Sequence, residues 1–298
     1  MSADTSAGAS EDQRASLTSR VIPMMTLSEG SSALTRPLAP VTSTSARERA
    51  EARFQVQGKA IVTGGAGALG LISAQALLEH GLSSLCIMDL PRTLETSSEE
   101  IQSLASKFPS ANIKKVPLDV TSMESIEAAF EQANKTMEGI DILCCFAGIP
   151  GCQPSLSVTP DQFNKVMDVN LNGSFFCAQA AAKRMESSGK GGCILFTASM
   201  SAHYTNFPQP QAAYNASKAG VAHLTRNLAA EWAVHGIRVN SISPGLADVR
   251  KIWDSRCPMG RMGDPEEITG AVILLCSQRA GRYITGADIV IDGGTLTL

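Results

Sequence analysis

Lys59-Ala60-Ile61-Val62-Thr63-Gly64-Gly65-Ala66-Gly67-Ala68-Leu69-Gly70 is a β-prone run that passes straight into a glycine-rich turn, with a helical pattern after it. Glycines at such a junction let the backbone turn tightly and approach a pyrophosphate, which the N-terminus of the following helix then holds. The next β-prone run, Leu85 to Met88, leads into Asp89, 19 residues beyond Gly70. A carboxylate there accepts hydrogen bonds from adenosine ribose hydroxyls and repels a 2′-phosphate, which favours NAD(H) over NADP(H). Arg92, three residues on, is the local feature that would instead accommodate that phosphate.

The alternation begun here continues to the C-terminus. Further β-prone runs are Ile113 to Leu118, Ile140 to Cys145, Cys193 to Thr197, Ile237 to Ile242 and Asp288 to Ile291, with helix-period segments between them. Thr121-Ser122-Met123-Glu124 and Thr159-Pro160-Asp161-Gln162 read as capping boxes, and Asp264-Pro265-Glu266-Glu267 opens a helix in the same way. Strands and helices in this order predict an α/β fold, a doubly wound parallel sheet of Rossmann type, in one domain over 54–298.

Residues 1–53 differ. They are rich in Ser, Thr, Ala and Pro and carry no sustained period, so they are expected to form a disordered N-terminal tail. Arginines among the hydroxyl residues suggest a mitochondrial transit peptide, whereas Asp4, Glu11 and Asp12 argue against one. A cytoplasmic location is the expectation.

The net charge of −3 and pI near 5.9 argue against nucleic acid or an anionic membrane as partner. No apolar run approaches the ~18 residues of a membrane span. The eight cysteines form no Cys-x-x-Cys pair and mostly lie in apolar stretches, which predicts reduced, buried thiols. His80, His203, His223 and His235 lack metal-ligand spacing and read as ordinary surface or loop residues, so no metal is expected.

Tyr214 and Lys218 stand four residues apart, on one face of a helix. An ammonium beside a phenol favours the phenolate. Bringing a phenol near neutrality takes roughly 4 kcal/mol, more than one cation supplies, so the pair implies a second positive charge such as an oxidised nicotinamide.

With these pieces in order, the chain from Phe54 onward resembles the short-chain dehydrogenase/reductase family. Thr63 to Gly70 fits the family's glycine motif, and Asn170 in Val169-Asn170-Leu171-Asn172-Gly173 matches its helix asparagine. Ile237 to Gly245 and Asp292-Gly293-Gly294 match two further signatures. The resemblance implies a dinucleotide site at Gly64, Gly65, Gly67, Leu69, Gly70, Asp89, Asp119, Val120, Ala147, Gly148, Tyr214, Lys218, Pro244 and Gly245, with Asp119 contacting adenine. It implies a catalytic set of Ser199, Tyr214, Lys218 and Asn170. In that set Tyr214 moves the hydroxyl proton, Ser199 bonds the substrate oxygen, Lys218 lowers the tyrosine pKa and binds ribose, and Asn170 anchors a relay water. Family spacing to the tyrosine selects Ser201 instead, while the end of the fifth strand selects Ser199, which is preferred here. The run Ser199-Met200-Ser201 with Pro208-Gln209-Pro210-Gln211 is similar to fungal polyol and ketose reductases.

Three positions depart from the family pattern. Cys145-Phe146 replaces a polar pair before Ala147-Gly148, Val249 stands where a cofactor-contacting threonine is common, and the 246–257 stretch is shorter than many substrate lids. The expected function is hydride transfer between NAD(H) and a secondary alcohol or ketone, with a polyol or ketose as the candidate substrate, by a homo-oligomer (dimer or tetramer). The alternative is a dinucleotide-binding protein without turnover.

Overall fold

The computed structural model describes residues 23–42, 45–245 and 257–298. Seven strands form one parallel sheet: β1 (Lys59–Thr63), β2 (Ser84–Asp89), β3 (Asn112–Pro117), β4 (Ile142–Cys145), β5 (Gly192–Thr197), β6 (Ile237–Pro244) and β7 (Asp288–Ile291). Their order is β3-β2-β1-β4-β5-β6-β7. The helices among the described residues are α1 (Ala46–Phe54), α2 (Ala68–Glu79), α3 (Pro91–Thr96), α4 (Ser98–Lys107), α5 (Met123–Met137), α6 (Pro160–Met167), α7 (Gly173–Ser188), α8 (Ala212–Trp232) and α9 (Thr269–Cys276).

The inner strands β1, β2, β4 and β5 are buried on both faces because their residues are mostly apolar at odd and even positions alike. Ile61, Met88, Leu143, Ile194 and Phe196 face a core shared with α5, α7 and α8. Their strand neighbours Val62, Ile87, Cys144 and Leu195 face the other core, under α2, α4 and α9. Strand order reverses between β1 and β4, where Thr63 pairs with Cys145. A crevice at the C-terminal ends of the strands at such a switch point is where ligands bind in this class of sheet.

The caps partly follow expectation. Thr159 and Gln162 form the capping box of α6. Ser122 caps α5 by accepting from Ser125 N, but Glu124 takes no part because it is one residue short of the box position. Asp264 and Glu267 form a capping box that opens a 3-10 turn (Pro265–Ile268) running into α9.

The stretch expected to be disordered contains structure. Ser45 and Glu48 make a reciprocal capping box that starts α1, a helix with no buried residue. Upstream of it, Arg282 donates to the carbonyl oxygens of Leu34 and Arg36, and Arg279 to that of Ala39. These guanidinium bonds fix the segment at the N-terminal edge of the sheet, a long-range contact that local composition does not report. Val249 and positions 246–256 of the short loop lie outside the described residues.

Candidate active site

Gly64 has φ +64, and a Cβ there would collide with the backbone nitrogen of Ala147. The turn after β1 is therefore pressed against the Ala147-Gly148 segment after β4, which requires small residues on both sides. Gly65 and Gly70 are also hemmed in by backbone. Gly67 starts α2 without a side-chain cap. Its helix therefore offers first-turn N–H groups and the positive end of its dipole to an anion.

Gly64, Gly67, Asp89, Asp119, Val120 and Ala147 line one cavity of about 910 Å³. Asp89 ends β2 with its carboxylate fixed: Oδ2 accepts from Ala66 N at 3.1 Å and Oδ1 from Leu90 N at 2.8 Å. Asp119 accepts from Thr121 N and Thr121 Oγ1 at 2.9 and 2.7 Å. An uncapped helix start in the same cavity as two oriented carboxylates fits a dinucleotide, with pyrophosphate at the helix, ribose hydroxyls at Asp89 and adenine by Asp119.

A second cavity, of about 400 Å³, is lined by Ser199, Tyr214, Lys218, Leu69 and Pro244. Phe146, Gly148 and Ile149 line both cavities, so a single extended ligand can reach from one to the other. Gly245 lies just beyond Pro244, its N–H bonded to Ile291 O at 2.8 Å.

Ser199 follows β5 in an extended conformation, and its Oγ accepts from Ser201 N at 3.1 Å. A hydrogen bond with Ser199 acts on the Tyr214 phenol. The serine chosen from the strand end is thus the one that meets the tyrosine. Ser201 lines the same cavity without that bond. Lys218 sits one turn beyond Tyr214 on α8, its Nζ 5.7 Å from the tyrosine ring centre and donating to Thr197 O at 2.7 Å.

The electrostatics of this pair correct the expectation. Burial pushes the Tyr214 phenol up from its ordinary value, and the Ser199 bond offsets only part of that. Burial also brings the Lys218 ammonium down to about 8. In the protein alone the phenol therefore stays above its ordinary value, because burial outweighs what Ser199 returns.

Asn170 is fully buried in a π-helical turn (Asp168–Asn172) between α6 and α7. Its amide grips the main chain of Ile149, accepting from N at 2.8 Å and donating to O at 3.0 Å, and it also donates to Ser217 Oγ at 3.1 Å. It therefore joins the loop after β4 to the helix that carries Lys218. A Cβ on Gly148 would sit 3.3 Å from Asn170 Oδ1 and 3.6 Å from Lys218 Nζ, which places both groups against the same glycine.

Some contributors went unread in the sequence. Asn206, Gln209 and Gln211 line the smaller cavity; the Pro-Gln repeat signalled the two glutamines, and no local pattern signalled Asn206. His203, expected to be an ordinary loop residue, is paired with Asp288. No group of residues among those described could hold a metal ion, and no described helix is long and apolar enough to cross a membrane.

Comparison with known proteins gives the family and the relatives of this chain. Residues 64–296 match the family model described as Enoyl-(Acyl carrier protein) reductase (adh_short_C2). The chain is 37% identical over 255 residues to a probable NADP-dependent mannitol dehydrogenase of Yarrowia lipolytica, covering 81% of this chain and 89% of that one. It is 35% identical over 263 residues to a ribulose-forming D-arabinitol 2-dehydrogenase of Scheffersomyces stipitis, covering 81% and 95%. A short-chain type dehydrogenase/reductase from Mycobacterium marinum superposes with a TM-score of 0.76 at 38% identity, covering 82% of this chain and 97% of that one.

Proposed function

The chain belongs to the short-chain dehydrogenase/reductase family, and on that premise we propose that it interconverts a secondary alcohol and ketone of an open-chain polyol or ketose, with NAD(H) as hydride carrier. The observation that carries this reading is the convergence of Ser199, Tyr214 and Lys218 on a cavity adjoining the dinucleotide cavity. A bound nicotinamide supplies the hydride acceptor or donor and, when oxidised, a positive charge beside Tyr214. Tyr214 takes the hydroxyl proton in oxidation and returns it in reduction. Ser199 holds the substrate oxygen where charge develops. Lys218, anchored on Thr197 O, keeps a cation near the phenol, and Asn170 fixes the Ile149 loop against the same helix.

Asp89 supports the preference for NAD(H): its fixed carboxylate repels a 2′-phosphate. The Yarrowia relative is named for NADP, so the two dinucleotides need direct comparison. The same reading has the enzyme work as a homo-oligomer in the cytoplasm, in keeping with eight free cysteines, seven of them buried.

The test is a hydride-transfer assay across polyols and ketoses with NAD(H) and NADP(H) on the full-length chain. Turnover that Tyr214→Phe abolishes is the expected result. Tight NADH binding without turnover on any substrate would instead favour the dinucleotide-binding protein.

A further inference from the structure

The lining of the smaller cavity divides by chain segment. Leu69 at the start of α2, and Phe146, Ile149 and Pro150 after β4, bring apolar surface. The segment before α8 brings three carboxamides, Asn206, Gln209 and Gln211. Among the described lining residues, Lys218 is the only charged one, and its ammonium is engaged by Thr197 O.

Asn206 is 5% exposed, yet its side-chain oxygen has no hydrogen-bond partner. A buried carboxamide left in this state is costly unless a ligand or water completes it. Its main-chain oxygen accepts from Gln209 N at 2.6 Å, which fixes the loop that carries both residues. Gln211 Nε2 donates to Gln209 Oε1 at 3.0 Å. That bond leaves the Gln209 amide nitrogen to donate and the Gln211 oxygen to accept.

We propose that Asn206, Gln209 and Gln211 form the specificity element of the site, taking the hydroxyls of a neutral open-chain polyol or ketose on carbons beyond the reacting one. The proposal rests on the oxidoreductase reading above. A hydroxyl both donates and accepts, and so does a carboxamide, so each partner satisfies the other. A ketone without flanking hydroxyls leaves the amides unmatched. A carboxamide returns less to a carboxylate than to a hydroxyl that both donates and accepts, so these three side chains are expected to favour neutral polyols over acids of the same length.

The experiment is steady-state kinetics on the full-length chain with neutral pentitols and hexitols, their ketoses, a plain secondary alcohol such as 2-butanol, and gluconate. Wild type is compared with Asn206→Ala and Gln209→Ala. Thermal unfolding and NADH titration report on the fold, and the half-buried Gln209 keeps the comparison readable if Asn206→Ala does not fold. Loss of about tenfold or more in kcat/KM on polyols, mostly through KM, with less than about threefold on 2-butanol, is the expected outcome. Equal losses on both substrates, no loss on polyols, or a wild type faster on gluconate than on any neutral polyol would overturn the inference alone. A wild type inactive on every substrate with both dinucleotides overturns the oxidoreductase reading, and this inference with it.

Discussion

His203 Nε2 lies 2.7 Å from Asp288 Oδ2, and the same carboxylate accepts the hydroxyls of Ser241 and Ser243, each at 2.8 Å. The carboxylate is nearly buried, and it ties the turn that follows Ser199 to β6 and β7. Asp288→Ala strands two hydroxyls and an imidazole. It is expected to lower the unfolding free energy in urea by about 2–3 kcal/mol. His203→Gln should cost about 1 kcal/mol or less, since the imidazole is partly in solvent. In both variants kcat should fall more than dinucleotide affinity, because the loosened turn carries Ser199.

Tyr214→Phe removes the proton donor and leaves the cavity shape nearly intact. A fall in kcat of about 10²–10⁴-fold is expected, with NADH affinity within a few-fold of wild type by fluorescence titration. An equal loss of NADH binding would place the tyrosine in cofactor capture alone.

Lys218 has a pH signature. Its folded pKa of about 8 lies below the ordinary lysine value of 10.5. Between those values the unfolded chain binds the extra proton, so stability rises with pH across this window. The burial penalty is felt in full below pH 8. Urea unfolding of wild type should therefore gain on Lys218→Met as pH rises from 8 toward 10. The gain tends to about 3 kcal/mol over the whole window, and the Tyr214 phenol sets the upper limit of clean measurement. A flat difference would show that the ammonium stays solvated.

The phenol should titrate above an ordinary tyrosine in the free protein, because burial dominates there. Ultraviolet difference titration with saturating NAD⁺ is expected to move it well toward neutrality, since a second cation then acts at short range. No movement would leave Tyr214 without a means of acting as base.

Cofactor choice turns on one carboxylate. Asp89→Ala should shift the ratio of kcat/KM for NAD⁺ over NADP⁺ by about 10–100-fold toward NADP⁺. Part of the loss with NAD⁺ will come from the freed N–H groups of Ala66 and Leu90. An unchanged ratio would assign phosphate discrimination elsewhere, with Arg92 next to be tested.

The sheet was legible because its signals are local. β1 and β7 begin and end where their β-prone runs do, while β6 extends to Pro244 because Pro244 pairs with Ile291, a partner the run itself cannot show. The place of Ser199 beside Tyr214 was legible, because the end of β5 positions it. The sign of the Tyr214 shift was not, since spacing gives adjacency and says nothing of how much water the fold removes. The His203–Asp288 pair joins residues 85 positions apart, and the orphaned oxygen of Asn206 exists only once the loop is folded over it. α1 escaped notice because it buries nothing and so has no apolar stripe, though Ser45 and Glu48 were spaced to cap it.

The bonds from Arg279 and Arg282 to the main chain of residues 34–39 reach back some 240 positions. A growing chain emerges from the ribosome N-terminus first, so these early residues are made long before the arginines that hold them. The guanidinium bonds that hold them form only once the segment between α9 and β7 has been synthesised. The base of the sheet around Gly236 and Ile237, next to Leu34, is therefore covered last. A product that ends after Ile237 but before Arg279 would lack the guanidinium bonds that hold this cover in place.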